Sequence, residues 1–196
     1  MKKTLISAFL MIQLFTVSCG LQSIPQAKNA VEASVAEVTN QYKRRSDLIP
    51  NLVATVKGYA SHEKETLDAV VNARAKATSS NIDPTKMSAQ QLQEFQAAQG
   101  SLSQALGRLM VVTENYPNLK ADQNFRDLQA QLEGTENRIT IARQRNIETI
   151  QAFNNLITVP PTSWTNSLIY HHEKMPQWSV GEEELEVIKN APKAEF

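Results

Sequence analysis

The feature that most constrains the fold of this sequence is a long alternation of four- and three-residue spacings between mostly apolar residues. The alternation contains Val31, Val35, Val38, Tyr42, Arg45, Ile49, Leu52, Val56, Tyr59, Glu63, Thr66, Val70 and Ala73. An α-helix repeats about every 3.6 residues, so these positions fall on one helical face, whereas a half-buried strand alternates every second residue. The pattern therefore predicts amphipathic helices that bury one face against each other.

Two further helices follow a cluster of turn-forming residues. The sequence 88–91 has the spacing of a capping box, and the helix that it opens is expected to end before Pro117. The last helix is expected over 120–156, before a pair of prolines. The inner faces of these two helices carry Leu92, Phe95, Gln99, Leu102, Leu106 and Leu109, then Phe125, Leu128, Leu132, Thr135, Ile139, Ala142, Ile150 and Phe153.

Pro50 interrupts the first alternation and decides how many helices the chain forms. A proline deep inside a helix costs about 3 kcal/mol, but in a first helical turn its missing N–H has no partner to lose. We therefore predict a reversal at residues 45–50, which gives four segments in an antiparallel up-and-down four-helix bundle. The alternative is three long helices, of which the first is kinked at Pro50.

The N-terminus has the features of a secretion signal. Lys2 and Lys3 precede an apolar run of about 15 residues, which is shorter than the roughly 20 residues of a spanning helix. The run ends at Cys19, the only cysteine, in a context that resembles a bacterial lipobox with Thr16 in place of the usual leucine. We expect a lipoprotein signal peptide over 1–18, lipidation of Cys19 by acyl chains such as palmitate, and a tether over 19–26. The alternative is an uncleaved signal anchor.

Both readings place the domain outside the cytoplasm and anchored to a membrane. In an envelope with two membranes, Gly20 favours an outer-membrane lipoprotein on the periplasmic side. The helical bundle is then expected over 27–157, and residues 158–196, which contain four prolines, are expected to form an irregular tail.

Two groups of residues are candidates for contact with a partner or with lipid. Lys43, Arg44 and Arg45 form a basic cluster near the predicted reversal, although basic residues are also favoured at a helix C-terminus. Trp164 and Trp178 are large apolar groups in a mostly polar tail, where they either pin the tail to the bundle or anchor a partner.

The sequence contains only weak candidates for catalytic or metal-binding motifs. His62 lacks a second histidine four residues later, and His171 and His172 are adjacent, which suits shared metal coordination poorly. The 20 basic residues equal the 20 acidic ones, so no basic field attracts nucleic acid. We expect no enzyme activity, no catalytic residues, no cofactor, no metal and no small-molecule substrate.

Three stretches carry a resemblance to a known family: "QYKRRSDLIPNLVATVKGYASHEKETLDAVVNARAKA" (41–77), "NYPNLKADQNFRDLQAQLEGTENRITIARQRN" (115–146) and "APKAEF" (191–196). They resemble the LemA family of bacterial proteins. The resemblance implies an antiparallel four-helix bundle behind an N-terminal membrane segment, and it implies no particular reaction. The chain departs from the family pattern in its lipoprotein-like N-terminus, and in Val159-Pro160 and Gln177-Trp178, which replace Phe-Pro and Tyr-Phe pairs.

The function predicted from these observations is that of a non-catalytic, membrane-tethered scaffold or adaptor, which contacts envelope proteins through its helix surfaces. Its expected partners are the membrane, through the lipid anchor, and an unknown envelope protein. A regulatory subunit of a membrane-bound envelope protease is one alternative. A bundle that binds a small ligand between its helices is another.

Overall fold

The computed structural model describes the backbone of residues 2–79 and 88–178, and the side chains within these ranges from residue 21 onward. This part of the chain is all-helical, as the spacing predicted. Six α-helices and one π-helical turn follow each other: α1 (Lys2–Tyr59), α2 (Lys64–Ser79), α3 (Ala89–Thr113), α4 (Pro117–Ala121), α5 (Gln123–Thr158), α6 (Thr162–Thr165) and the π-helical turn (Asn166–Tyr170).

The two longest helices, α1 and α5, run side by side in opposite directions. Hydrogen bonds join Ser34 to Thr149 (2.8 Å), Arg45 to Glu136 (3.0 Å) and, at the end of α1, Tyr59 to Asp122 (2.9 Å). The residue numbers rise along α1 as they fall along α5, which defines an antiparallel pair. This pair is the framework on which the shorter elements pack.

Helices α2 and α3 lie mainly against the second half of α1, and at its near limit Phe95 of α3 packs edge-on against Tyr42. Two hydrogen bonds show that α2 and α3 are antiparallel. Tyr116, after the end of α3, donates to Glu63, just before α2 (2.7 Å), and the Gln99 amide of α3 donates to the Ala77 carbonyl of α2 (3.2 Å). The chain reverses at residues 60–63, because Arg74 on α2 lies back beside Ser46 on α1, and the predicted reversal at residues 45–50 is wrong.

Helix α1 continues through Pro50 because the backbone group that the proline leaves unpaired finds another partner. Proline has no N–H, so the carbonyl of Ser46, four residues earlier, lacks its usual helical donor. The side chain of Arg74 on α2 fills that role, with its Nε donating to the Ser46 carbonyl at 2.8 Å. Ser46 is buried, so an unpaired carbonyl there would be costly.

Pro25 is accommodated in α1 by the same device. Its missing N–H leaves the carbonyl of Leu21 without a helical donor, and the hydroxyl of Tyr170 donates to that carbonyl at 2.8 Å. Ile24 is fully buried, so the packed part of α1 begins within the segment expected to be a tether.

The buried apolar side chains form two clusters along the α1–α5 pair. The far cluster lies at the C-terminal half of α1 and contains Ile49, Leu52, Val56, Ala60, Leu67, Val70, Ala77, Leu102, Ala105, Leu109, Leu119, Phe125 and Leu132. The base cluster lies nearer residue 21 and contains Ile24, Val31, Val35, Val38, Tyr42, Phe95, Ile139, Ala142, Ile150, Phe153 and Ile157. Helices α2 and α3 close the first cluster, and residues 170–178 close much of the second.

The start of α3 that the sequence predicted is confirmed. Ser88 caps α3, with its hydroxyl accepting from the Gln91 N–H and the Gln91 side chain accepting from the Ser88 N–H. The signal peptide 1–18, Cys19 and residues 179–196 of the tail lie outside the residues whose side chains are described. Among the residues that are described, no helix combines the length and apolar character needed to cross a bilayer.

Candidate functional site

A buried polar layer separates the two apolar clusters. Its centre is Arg45, which is 2% exposed. One terminal nitrogen of Arg45 donates to the Ser103 hydroxyl and to Glu136, both at 3.0 Å. The other donates to the Gln99 side-chain oxygen at 2.6 Å and to the Gln99 carbonyl at 3.3 Å. Helices α1, α3 and α5 are thereby joined at one height along the molecule.

The layer is asymmetric in its exposure to solvent. The Glu136 side chain is 54% exposed, whereas its partner Arg45 is enclosed, so the carboxylate keeps much of its hydration while the guanidinium depends on protein acceptors. The cation also lies 5.1 Å from the centre of the Tyr42 ring. A shift of one helix along another would break several of these bonds at once, so the layer fixes the register of the three helices.

This placement divides the basic cluster predicted from the sequence. Lys43 and Arg44 are exposed on α1, whereas Arg45 points inward and is not available to lipid or to a partner. The signal for this was present in the sequence, because Arg45 continues the apolar spacing of its helix. Gln99 and Thr135 do the same on theirs, and both are buried.

Next to the layer, Arg143 links α1 to the C-terminal segment. Burial raises the pKa of Tyr42, and the positive charges of Arg143 and Arg45 oppose that rise. The Arg143 guanidinium also lies over the ring of Trp178, 4.9 Å from its centre. The cation is thus shared between a helix residue and the described end of the tail.

Trp178 is inserted between the helices and does not project as an anchor. Its Nε1–H donates to the side-chain oxygen of Asn146, which is fully buried on α5, at 2.5 Å. The Asn146 amide in turn donates to Ser34 on α1 at 2.8 Å. The indole packs edge-on against Phe95 at 6.1 Å. Trp178 therefore pins the tail to the base cluster.

Trp164 has the opposite environment, because it is 63% exposed. It belongs to a group of exposed apolar side chains at the end of the molecule where α1 leaves the packed region, which we call the base surface. Its members are Leu21, Val159, Trp164, Leu168 and Ile169. The two tryptophans that the sequence marked as equivalent candidates thus differ in role.

The other end of the molecule, which we call the far end, comprises residues 59–63 and 114–123. It is polar and internally hydrogen-bonded. Tyr59 donates to one carboxylate oxygen of Asp122, and the other oxygen accepts from the Phe125 N–H at the start of α5. These two hydrogen bonds hold the pKa of Asp122 below its usual range, the backbone one most strongly. A Lys120–Glu114 ion pair lies beside them.

A concavity beside the α1–α2 turn is shallow and open. It has a volume of about 630 Å³ and is lined by six residues after the α1–α2 turn: His62, Lys64, Glu65, Asp68, Ala69 and Asn72. Among the described residues, no group of three or more histidine, cysteine, aspartate or glutamate side chains is arranged to hold a metal ion.

This geometry defines an all-helical class of protein. Its features are a long antiparallel helix pair, a buried polar layer around Arg45, one end with exposed apolar side chains and one polar end. A model of the LemA family matches residues 34–196, and the chain belongs to that family. None of the curated proteins compared with the chain matches it.

Proposed function

We propose that this protein is a non-catalytic scaffold or adaptor on the extracytoplasmic side of a bacterial envelope membrane. A lipid on Cys19 tethers it, its helices form an up-and-down four-helix bundle, and its outer helix faces bind envelope proteins. The observation that carries the proposal is the α1–α5 pair, which starts beside residue 21 and extends away from it without interruption.

The geometry of this pair sets the reach of the scaffold. The rise from residue 21 to residue 59 along α1 is about 57 Å at 1.5 Å per residue. The Arg45–Glu136 and Ser34–Thr149 hydrogen bonds join α1 to α5 at two heights and hold the pair in one register along this length. A rod of this kind displays its outer faces at fixed heights above the membrane, which suits the docking of other helices or peptides.

The exposed pair Lys43 and Arg44 is the part of this surface with the clearest chemistry. The pair lies about 33 Å of helical rise from residue 21, more than three Debye lengths at physiological salt. In an upright rod, anionic headgroups at the base are too far away to hold these side chains. The proposal therefore assigns Lys43 and Arg44 to an acidic surface on a protein partner.

Crosslinking in native membranes tests this assignment. The charge reversal Lys43→Glu/Arg44→Glu is expected to abolish the capture of envelope proteins while the protein stays in the membrane fraction. Cys19→Ala is the matched variant and is expected to have the complementary effect, with loss of acyl labelling and release from the membrane. The charge-reversal variant should keep the helical circular dichroism of the unaltered chain, because Lys43 and Arg44 are both exposed.

Three results would contradict the proposal. Membrane retention of Cys19→Ala without acyl label would remove the lipid tether. Unchanged protein capture by Lys43→Glu/Arg44→Glu would remove the acidic partner. Tight binding of a metabolite by the purified chain, detected as a rise in melting temperature, would favour a ligand-binding bundle instead.

A further inference from the structure

The base surface is an unusual feature for a folded domain because its large apolar side chains are exposed together. Leu168 is 79% exposed, Trp164 63%, and Ile169 51%. Trp164 and Leu168 are four residues apart across the junction of α6 and the π-helical turn, so they project from the same side of the helical segment. Isolated exposed apolar residues are normal in proteins, whereas clustered ones mark interaction sites.

The amino-acid composition of residues 159–170 indicates what kind of surface this segment contacts. Residues 159–170 contain no lysine, arginine, aspartate or glutamate, although these residues make up 20% of the chain. The segment combines tryptophan, tyrosine, leucine and isoleucine with small hydroxyl and amide residues. Tryptophan and tyrosine are enriched where a protein crosses from water into the lipid headgroups, because one part of each ring is apolar and the other is polar.

The position of the base surface is fixed relative to the chain end that leads to the membrane. Tyr170 donates its hydrogen bond to the Leu21 carbonyl, and Asn166 exchanges two hydrogen bonds of 2.9 Å with the backbone of His172. Leu21 is itself 43% exposed and is two residues after Cys19 in the sequence. An acyl chain on Cys19 would hold this surface against the bilayer.

From these observations we propose that the base surface, formed by Leu21, Val159, Trp164, Leu168 and Ile169, inserts into the interfacial region of the lipid bilayer. It is a second membrane contact besides the lipid anchor, and it sets the orientation of the rod. This inference rests on the proposed tether, since the anchor brings the surface to the membrane.

The two tryptophans of the chain provide an internal test of this insertion. The full-length, acylated protein is placed in vesicles of phosphatidylethanolamine and phosphatidylglycerol, of which a fraction carries bromine on the acyl chains near the headgroup. Trp178→Phe leaves Trp164 as the sole tryptophan, and Trp164→Phe leaves Trp178 as the control. We expect bromolipid to quench most of the Trp164 emission and little of the Trp178 emission.

A second measurement removes any dependence on the folding of Trp178→Phe. The emission of the unaltered chain minus that of Trp164→Phe gives the Trp164 contribution with Trp178 in place. The variant Leu168→Glu/Ile169→Glu is expected to weaken the quenching of Trp164 several-fold while the protein still floats with the vesicles through Cys19.

The outcomes separate this inference from the proposed tether. Flotation with Trp164 reached only by aqueous acrylamide overturns the insertion and leaves the tether standing. Flotation with Trp164 shielded from both quenchers overturns it as well, because a protein surface then covers the base. Failure to float overturns both, since neither the acyl chain nor the base surface then holds the membrane.

Discussion

The two halves of the α1–α5 pair are covered by different structural elements. Around the far cluster, whole helices cover the pair, and α2 and α3 supply six of the thirteen buried side chains. Around the base cluster, the cover includes a short C-terminal segment, with Tyr170, Met175 and Trp178 packed against the core. The difference implies that the far half is stabilised by long helical interfaces, while the base half depends on a few contacts from residues 162–178.

The same type of hydrogen bond attaches the covering element to α1 in both halves. Each proline in the packed part of α1 leaves one carbonyl without a helical donor, and a side chain from the covering element donates to it. In the far half the donor is Arg74 of α2, and in the base half it is Tyr170 of the π-helical turn. A residue that weakens an isolated helix thereby fixes where its partner docks.

The largest predicted effect concerns the attachment of the tail to the base half. Trp178→Ala removes an indole packed on Phe95 and leaves the buried Asn146 oxygen without its donor, so the free energy of unfolding should fall by about 3 kcal/mol. Trp178→Phe keeps a ring and loses only the hydrogen bond, at about 1 kcal/mol. Urea denaturation followed by circular dichroism measures both.

The exposed Trp164 provides the control for this prediction. Trp164→Ala should change the free energy of unfolding by less than about 0.5 kcal/mol, because its ring is mostly in solvent. Hydrogen exchange in Trp178→Ala should increase near Val31 and Val38 more than in α2 or α3. Equal increases in both halves would mean that the tail does not act on the base half in particular.

The next effect in size tests the carbonyl freed by Pro50. Arg74→Met leaves the buried Ser46 carbonyl unpaired and should cost about 2 kcal/mol. In a Pro50→Ala background the restored N–H can donate to the same carbonyl, so Arg74→Met should then cost about 1 kcal/mol less. A double-mutant cycle by chemical denaturation gives this coupling, and a coupling of zero would refute the role assigned to Arg74.

The smallest predicted effect is a difference in acid sensitivity between the ends. At the base, burial lowers the pKa of His172 below its ordinary 6.5, with a contribution from nearby Lys28. The unfolded chain then takes up a proton first, so this stabilisation is complete above pH 6.5 and is lost as the pH falls below it. At the far end, the pKa of Asp122 is below its ordinary 3.8, so stability there is lost only in stronger acid.

Denaturation between about pH 7.5 and pH 5 covers the range in which His172 is expected to lower the stability, and it lies above the range of Asp122. His172→Asn should flatten the dependence of unfolding free energy on pH over this range. A slope that survives in His172→Asn would assign the acid response to other groups.

The helices and their inner faces could be predicted from the sequence because spacing encodes burial directly. The capped start of α3 and the end of α5 before its prolines followed from local rules. The reversal at residues 60–63 could not, because Pro50 is tolerated only through a hydrogen bond from Arg74 on another helix. Local cost alone favoured a break there, and a tertiary contact reversed the outcome.

The candidate site shows the same limit. The spacing of Arg45 predicted a buried position, whereas its charge predicted an exposed one. Arg45 is buried because Gln99, Ser103 and Glu136, on two other helices, accept its hydrogen bonds. Trp164 and Trp178 are chemically identical in sequence. Their environments differ because only Trp178 lies beside the buried Asn146, whose side-chain oxygen accepts a hydrogen bond from the indole N–H.

The central claim is that the base end lies at the membrane and the far end stands away from it. The native cysteine is expected to be acylated, so Ser61→Cys at the far end and Ser167→Cys beside the base surface each give one site for a dye. Energy transfer to a headgroup dye in vesicles should be strong from residue 167 and weak from residue 61, which follows a helix that rises about 57 Å between residues 21 and 59. Equal transfer from both sites would mean that the rod lies flat or has no fixed orientation, and it would contradict the account.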